Sequence, residues 1–186
     1  VTGSPLPEVF CKYMTKIDKS DVLDRLELEK GKFILVSAHR EENIDNDENF
    51  KSLTDALNAI AEKYNMPVIY STHPRSWKRI EEKKIKFHKN IKQLKPFGFY
   101  DYNKLQKEAF CVLSDSGSLA EESNIMGFAA VSIRTSTERP EAIDKGSVIL
   151  GGITFDSITQ AIEVITSQKQ NGAKLVKVHD YTDINV

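Results

Sequence analysis

Phe110-Cys-Val-Leu-Ser-Asp-Ser-Gly-Ser-Leu-Ala-Glu-Glu122 passes without a break from an apolar run to small polar residues and then to a helical pattern. Phe110–Leu113 is β-branched, aromatic and apolar, as a buried strand requires. A helix opens at Leu119 with Glu121 and Glu122 in its first turns. A strand that ends in Ser116-Gly117-Ser118 at a helix mouth points backbone N–H groups and a positive dipole end at one spot, an arrangement that favours phosphate. The plainer reading is a structural helix capped by Ser116 or Ser118, with the acids complementing its dipole.

The same alternation runs through the chain. Strand-like runs fall at 33–37, 68–71, 91–94, 110–113, 130–133 and 147–150, and helical patterns at 49–64, 75–84, 102–108, 119–126 and 156–167. The strongest helix carries Phe50, Leu53, Leu57, Ile60 and Ala61 on one face. Strands separated by helices predict β-α-β units and therefore an α/β fold: a Rossmann-like parallel sheet sandwiched by helices. Ligands in such sheets bind at the carboxyl ends of the strands. Residues 1–32, with Pro5, Pro7 and a charged helical pattern over 20–29, read as a connector and lead-in helix ahead of a domain spanning 33–186.

Bulk properties narrow the function classes. The chain has 186 residues, 40% hydrophobic and 28% charged, with a formal net charge of -1. Near-cancelling charge argues against a generic nucleic-acid binder. The Lys-rich run from Lys78 to Lys95 is interrupted by Glu81 and Glu82, as on a solvated helix face. Cys11 and Cys111 form no C-x-x-C pair, which suits a reduced, cytoplasmic protein. No run is long and apolar enough for a membrane span. Val1-Thr-Gly-Ser-Pro5 has no secretory character, and the polar end His179–Val186 looks cut.

Polar residues gather after the predicted strands. After the first come His39 and Arg40, both able to donate to phosphate oxygens, with Glu41 or Glu42 able to orient them. After the second, His73 precedes Pro74 at a helix start. After the third, Phe97, Phe99, Tyr100 and Tyr102 surround Asp101, which reads as the N-cap of the next helix; one exposed ring can stack on a flat base. After the fifth, Arg134 and Arg139 bracket hydroxyl residues, placing Arg139 as a phosphate neutraliser beside Ser116–Ser118. Read singly, each is a cap, a core ring or a surface ion pair. Together they describe a nucleotide-diphosphate pocket. There is no Walker A pattern, no G-x-G-x-x-G, no zinc-ligand spacing and no G-x-S-x-G elbow.

His39-Arg-Glu-Glu-Asn43, Ser114-Asp-Ser-Gly-Ser-Leu-Ala-Glu-Glu122 and Glu138-Arg-Pro-Glu141, in that order, resemble the signature of the non-hydrolysing UDP-N-acetylglucosamine 2-epimerases. The resemblance implies one half of a GT-B-like fold of two Rossmann-like domains, this chain being the C-terminal, UDP-holding half. It implies that Ser116, Gly117 and Ser118 hold the diphosphate, Glu122 binds ribose hydroxyls, Arg139 contacts phosphate and Tyr102 lies against uracil. His39, counted among the catalytic-site residues, and Arg40 face the diphosphate, and His73 is a second cleft histidine. Ser118 stands where many members have Gly. The partners implied are a UDP-sugar and the N-terminal domain of the same protein, in a homodimer, with no cofactor.

Glu42–Asn46, Ser71–Arg75 and Leu94–Phe99 look more like the capsule and O-antigen branch, which forms UDP-N-acetyl-L-fucosamine from its C-2 epimer. The segment Ser136-Thr-Glu-Arg-Pro140 departs from that branch's usual His-Glu-Arg-Pro-Glu. The family's reaction is anti elimination of UDP across C1–C2 and re-addition to a glycal, with the proton-transferring carboxylates in the N-terminal domain. Other readings are a UDP-GlcNAc/UDP-ManNAc 2-epimerase, a GT-B glycosyltransferase half-domain and a regulatory UDP-sugar-binding module.

Overall fold

The computed structural model describes residues 5–134 and 148–170. Its centre is one parallel sheet of β1 (Ile34–Ser37), β2 (Val68–Ser71), β3 (Ile91–Leu94), β4 (Cys111–Ser114), β5 (Ala130–Ser132) and β6 (Val148–Leu150). The spatial order is β3-β2-β1-β4-β5-β6, and every pairing is parallel. This is the doubly wound, Rossmann-like arrangement that strand–helix alternation predicts.

Apolarity on both faces of the central strands β1, β2 and β4 explains why the middle of the sheet is buried on both sides, while the edge strand β3 carries Lys92 and Gln93. In β1, Ile34 and Val36 join the core that faces α4 (Asp47–Tyr64) and α8 (Phe155–Gln170). Leu35, with Phe33 just ahead of it, joins the opposite core, shared with α2 (Val22–Leu26), α6 (Phe99–Glu108) and α7 (Leu119–Met126). The remaining helices are α1 (Leu6–Asp18), α3 (Glu41–Ile44) and α5 (Pro74–Glu82).

Local chemistry sets the helix ends. Asn46 caps α4 by accepting from the N–H groups of Glu48 and Asn49 at 2.9 and 3.0 Å. Pro74 takes the first position of α5 behind His73, as expected. Gly127 closes α7 in the left-handed region at φ 75. Gly151 meets a different demand: a methyl group there would sit 2.4 Å from Val131 Cγ1, so β6 turns into α8 only where no side chain intervenes.

Two expectations need correction. Asp101 is not the cap of α6. That helix starts earlier, at Phe99 behind Gly98, and Asp101 in its first turn accepts from Ser20 Oγ at 2.6 Å and pairs with Arg25 at 2.5 Å. The leading segment also holds a full helix, α1, with Phe10 and Ile17 buried. Phe10 stacks on Phe99 at 6.2 Å, and Tyr13 packs against Phe99 and Tyr100 at 6.1 and 5.9 Å. Two of the loop aromatics are thus spent on holding α1.

Candidate functional site

The strand order reverses between β1 and β4, where Ser37 and Ser114 are register partners. Loops leaving such a pair diverge to opposite faces and leave a crevice. Ala38–Arg40 forms one lip and Asp115–Ser118 the other. The Asp115 N–H donates to Ser37 O at 3.2 Å, closing the floor.

Asp115 joins the lips. It is fully buried. Its Oδ2 accepts from the backbone N–H groups of His39 and Arg40 at 2.9 Å each and from Asn43 Nδ2 at 3.1 Å. Asn43, also buried, donates to Ile133 O at 2.9 Å, tying α3 to the end of β5. The sequence reading gave Asp115 and Asn43 no roles. The available signal was an acid directly after an apolar strand, where backbone N–H groups of a neighbouring loop need an acceptor.

His39 stands half exposed above this carboxylate, its side chain 43% accessible. Its ring lies 5.8 Å from that of His73, tilted by 35°. His73 Nδ1 accepts from the Arg75 N–H at 3.3 Å. Arg75 pairs with Glu41 at 2.9 Å and with Asp45, while Glu42 reaches the largely buried Arg134 at 3.4 Å. Both acids proposed as orienters therefore serve other arginines. Arg40 leans over the opposite lip: a methyl group at Gly117 would lie 3.5 Å from Arg40 Nη2. Gly117 lies outside the left-handed region. Its role is openness at that point.

Ser118 occupies the N-cap position of α7 without a side-chain bond to the helix backbone. Its hydroxyl instead donates to Glu122 Oε1 at 2.8 Å and sits 3.0 Å from Ser116 Oγ. The buried Gln106 donates from Nε2 to Glu122 Oε2 at 2.6 Å. Ser116, Ser118, Glu122 and Gln106 form one chain of polar contacts under the helix mouth, so a ligand hydroxyl reaching Glu122 must share its oxygens. Tyr102, one turn before Gln106 on α6, packs in the core with its hydroxyl toward Ser37 and Ser114. Burial pushes its phenol up to about 12, and the two serine hydroxyls act in the opposite direction. Beside His73, a groove of about 400 Å³ is lined by Thr72, Pro74, Trp77, Lys95 and Pro96.

His39, Arg40, His73, Tyr102, Ser116, Gly117, Ser118 and Glu122 are thus all placed around one crevice or directly beneath it. Arg139 lies outside the described residues. Within those residues no cluster of His, Cys, Asp and Glu is arranged to hold a metal, and no helix is long and apolar enough to cross a membrane. The arrangement is suited to an anion: a guanidinium lies beside a glycine at a helix N-terminus, with two neighbouring imidazoles on the facing lip.

A family profile described as UDP-N-acetylglucosamine 2-epimerase matches residues 1–186. The chain belongs to this epimerase family. A UDP-N-acetylglucosamine 2-epimerase of Methanocaldococcus jannaschii is 36% identical over 143 residues, covering 75% of this chain and 39% of that protein. The solved 2-epimerase from Rickettsia bellii shares 38% identity with a TM-score of 0.78, over 94% of this chain and 50% of that one. The solved M. jannaschii 2-epimerase in complex with UDP-GlcNAc and UDP superposes with a TM-score of 0.83 at 30% identity, over 97% of this chain and 51% of that one. The chain spans about half the length of the epimerases it matches, or less.

Proposed function

We propose that this chain is the UDP-holding half of a UDP-N-acetylhexosamine 2-epimerase. The observation that carries the reading is Arg40 Nη2 poised over Gly117 at the mouth of α7, within the crevice between β1 and β4. The Ser116–Ser118 backbone and Arg40 take the diphosphate, with Arg139 as a further phosphate contact. Glu122 takes ribose hydroxyls, and Tyr102 shapes the uracil side.

Elimination breaks the C1–O bond and leaves its electron pair on the departing β-phosphate. A preorganised helix mouth with Arg40 and His39 is suited to that developing charge. The C2 proton goes to a base outside this chain; a proton then adds to C2 from the opposite face of the glycal as the β-phosphate oxygen re-forms the C1–O bond, and C2 is inverted. In this reading the complete enzyme is a homodimer that pairs this half with an N-terminal domain.

For the sugar, we infer a 6-deoxy L-hexosamine nucleotide, the substrate of the UDP-N-acetyl-L-fucosamine-forming branch of capsule and O-antigen synthesis. Two of the loops that resemble that branch, at Thr72–Pro74 and Lys95–Pro96, line the groove beside His73. The names of the relatives favour UDP-N-acetylglucosamine instead. Full-length protein given each UDP-sugar in deuterated water separates the two by C2 proton exchange in NMR. Exchange only with the L-talo and L-fuco sugars supports the branch reading, and exchange only with UDP-N-acetylglucosamine overturns it. The isolated 186 residues are expected to bind UDP weakly and to show no exchange with either sugar. Turnover by this chain alone would remove the need for a second half.

A further inference from the structure

We propose that Asp115 is a positioning residue that holds the His39 imidazole with its neutral-state proton on Nδ1, leaving Nε2 as an acceptor in the crevice. The two contacts of the carboxylate are unequal. Oδ2 takes three donors, from His39, Arg40 and Asn43. Oδ1 is buried with no hydrogen-bond partner of good geometry, and His39 Nδ1 lies 3.3 Å from it. A bare imidazole lone pair facing a buried carboxylate oxygen would add repulsion; an Nδ1–H at 3.3 Å turns it into an attraction that a small ring rotation completes as a hydrogen bond. A carboxylate behind a histidine fixes tautomer and ring orientation in just this way in hydrolytic triads.

His73 is held in the opposite sense. Its Nδ1 accepts the Arg75 N–H, so its neutral proton sits on Nε2. Two rings 5.8 Å apart therefore present complementary faces, an acceptor on His39 and a donor on His73. Its consequence for turnover rests on the reading of His39 as a group acting at the bound UDP-sugar. In that reaction Nε2 takes up a proton in the crevice, and Asp115 stabilises the resulting charge on His39 at Nδ1–H. Its Nε2 proton passes to the leaving β-phosphate oxygen as that oxygen takes the C1–O electron pair. Re-addition returns the proton to Nε2 as the bond re-forms.

The test is a long-range proton–nitrogen spectrum of the chain labelled with 15N-histidine, at about pH 8.5, some two units above the ordinary imidazole pKa. His39→Gln and His73→Gln variants assign the signals. The expected result is Nδ1–H at His39 and Nε2–H at His73 in the wild-type chain. Asp115→Asn keeps an oxygen for the backbone donors and turns an NH2 toward His39, so the His39 signature should invert to Nε2–H. An Nε2–H signature at His39 in the wild type overturns the proposal even if Asp115→Asn does not fold. A folded Asp115→Asn chain with an unchanged signature also overturns it, leaving Asp115 as a backbone staple only. In full-length enzyme the same exchange should lower kcat by about a hundredfold or more with little change in KM. If the wild-type signature is found but His39→Gln retains full kcat, the catalytic reading of His39 fails and the tautomer lock stands.

Discussion

Gly117 shows how one missing side chain serves the crevice. Its backbone lies outside the left-handed region, and the nearest atom to a methyl group there is Arg40 Nη2 at 3.5 Å. Gly117→Ala should therefore leave thermal stability nearly unchanged while putting a methyl group where phosphate approaches. UDP affinity, read by titration calorimetry, should fall about tenfold, or ~1.4 kcal/mol; unchanged affinity would place the diphosphate elsewhere. Tyr102 gives a pH signature. Its phenol is raised to about 12 in the folded chain, against about 10 for the free group. Its stabilising contribution is whole below about pH 10. It declines as pH rises from about 10 to about 12, where the unfolded chain loses the proton and the folded chain keeps it. Tyr64, raised to about 12 mainly by burial, acts in the same direction. Urea midpoints across this range should fall less steeply for Tyr102→Phe than for wild type, by up to about 1.4 kcal/mol per pH unit; parallel curves would mean that this phenol is not protected.

Strand–helix alternation was legible because β1, β2 and β4 are short apolar runs between patterned helices such as α4. The helix starts were less so. α6 opens on Phe99 and Tyr100, aromatics that read as loop residues until α1 supplies Phe10 and Tyr13 to pack against one side of them. α1 was hidden because Pro5 and Pro7 look like breaks, although Pro7 sits within the first turn, where proline is tolerated. In the site, the exposed donors His39, Arg40 and His73 announce themselves by type and position. Asp115 and Asn43 do not, since a buried polar residue looks like a turn residue until its partners, distant in sequence, are known. Their coupling of α3, β4 and β5 gives a direct test: Asn43→Ala should cost about 1–3 kcal/mol by urea unfolding, because it removes a buried donor from both Asp115 and Ile133 O. A loss below about 0.5 kcal/mol would show that α3 is held instead by the Arg75–Glu41 pair and by Arg79 on α5, which donates to Ile44 O at 3.3 Å. Gly151→Ala tests the packing of α8: with Val131 Cγ1 only 2.4 Å from the new methyl group, overpacking should cost about 1–3 kcal/mol, measured the same way.

The sheet is assembled from both directions along the chain, and this has a consequence for synthesis on the ribosome. β1 can pair with β2 soon after both emerge, but its other edge waits for β4. His39 and Asp115 are 76 residues apart, on the order of 4–15 s of elongation at about 5–20 residues per second. During that interval a wholly apolar strand, Ile34 to Val36, presents an open hydrogen-bonding edge, a template for intermolecular pairing. A chain terminated just before Cys111 should therefore sediment with aggregates or be retained by a holdase chaperone, whereas one extended past Ser132 should be released. The crevice that gathers the ligand groups is also the seam where the two halves of the sheet meet, so the open edge of β1 is covered only when the Asp115 lip meets the His39 lip.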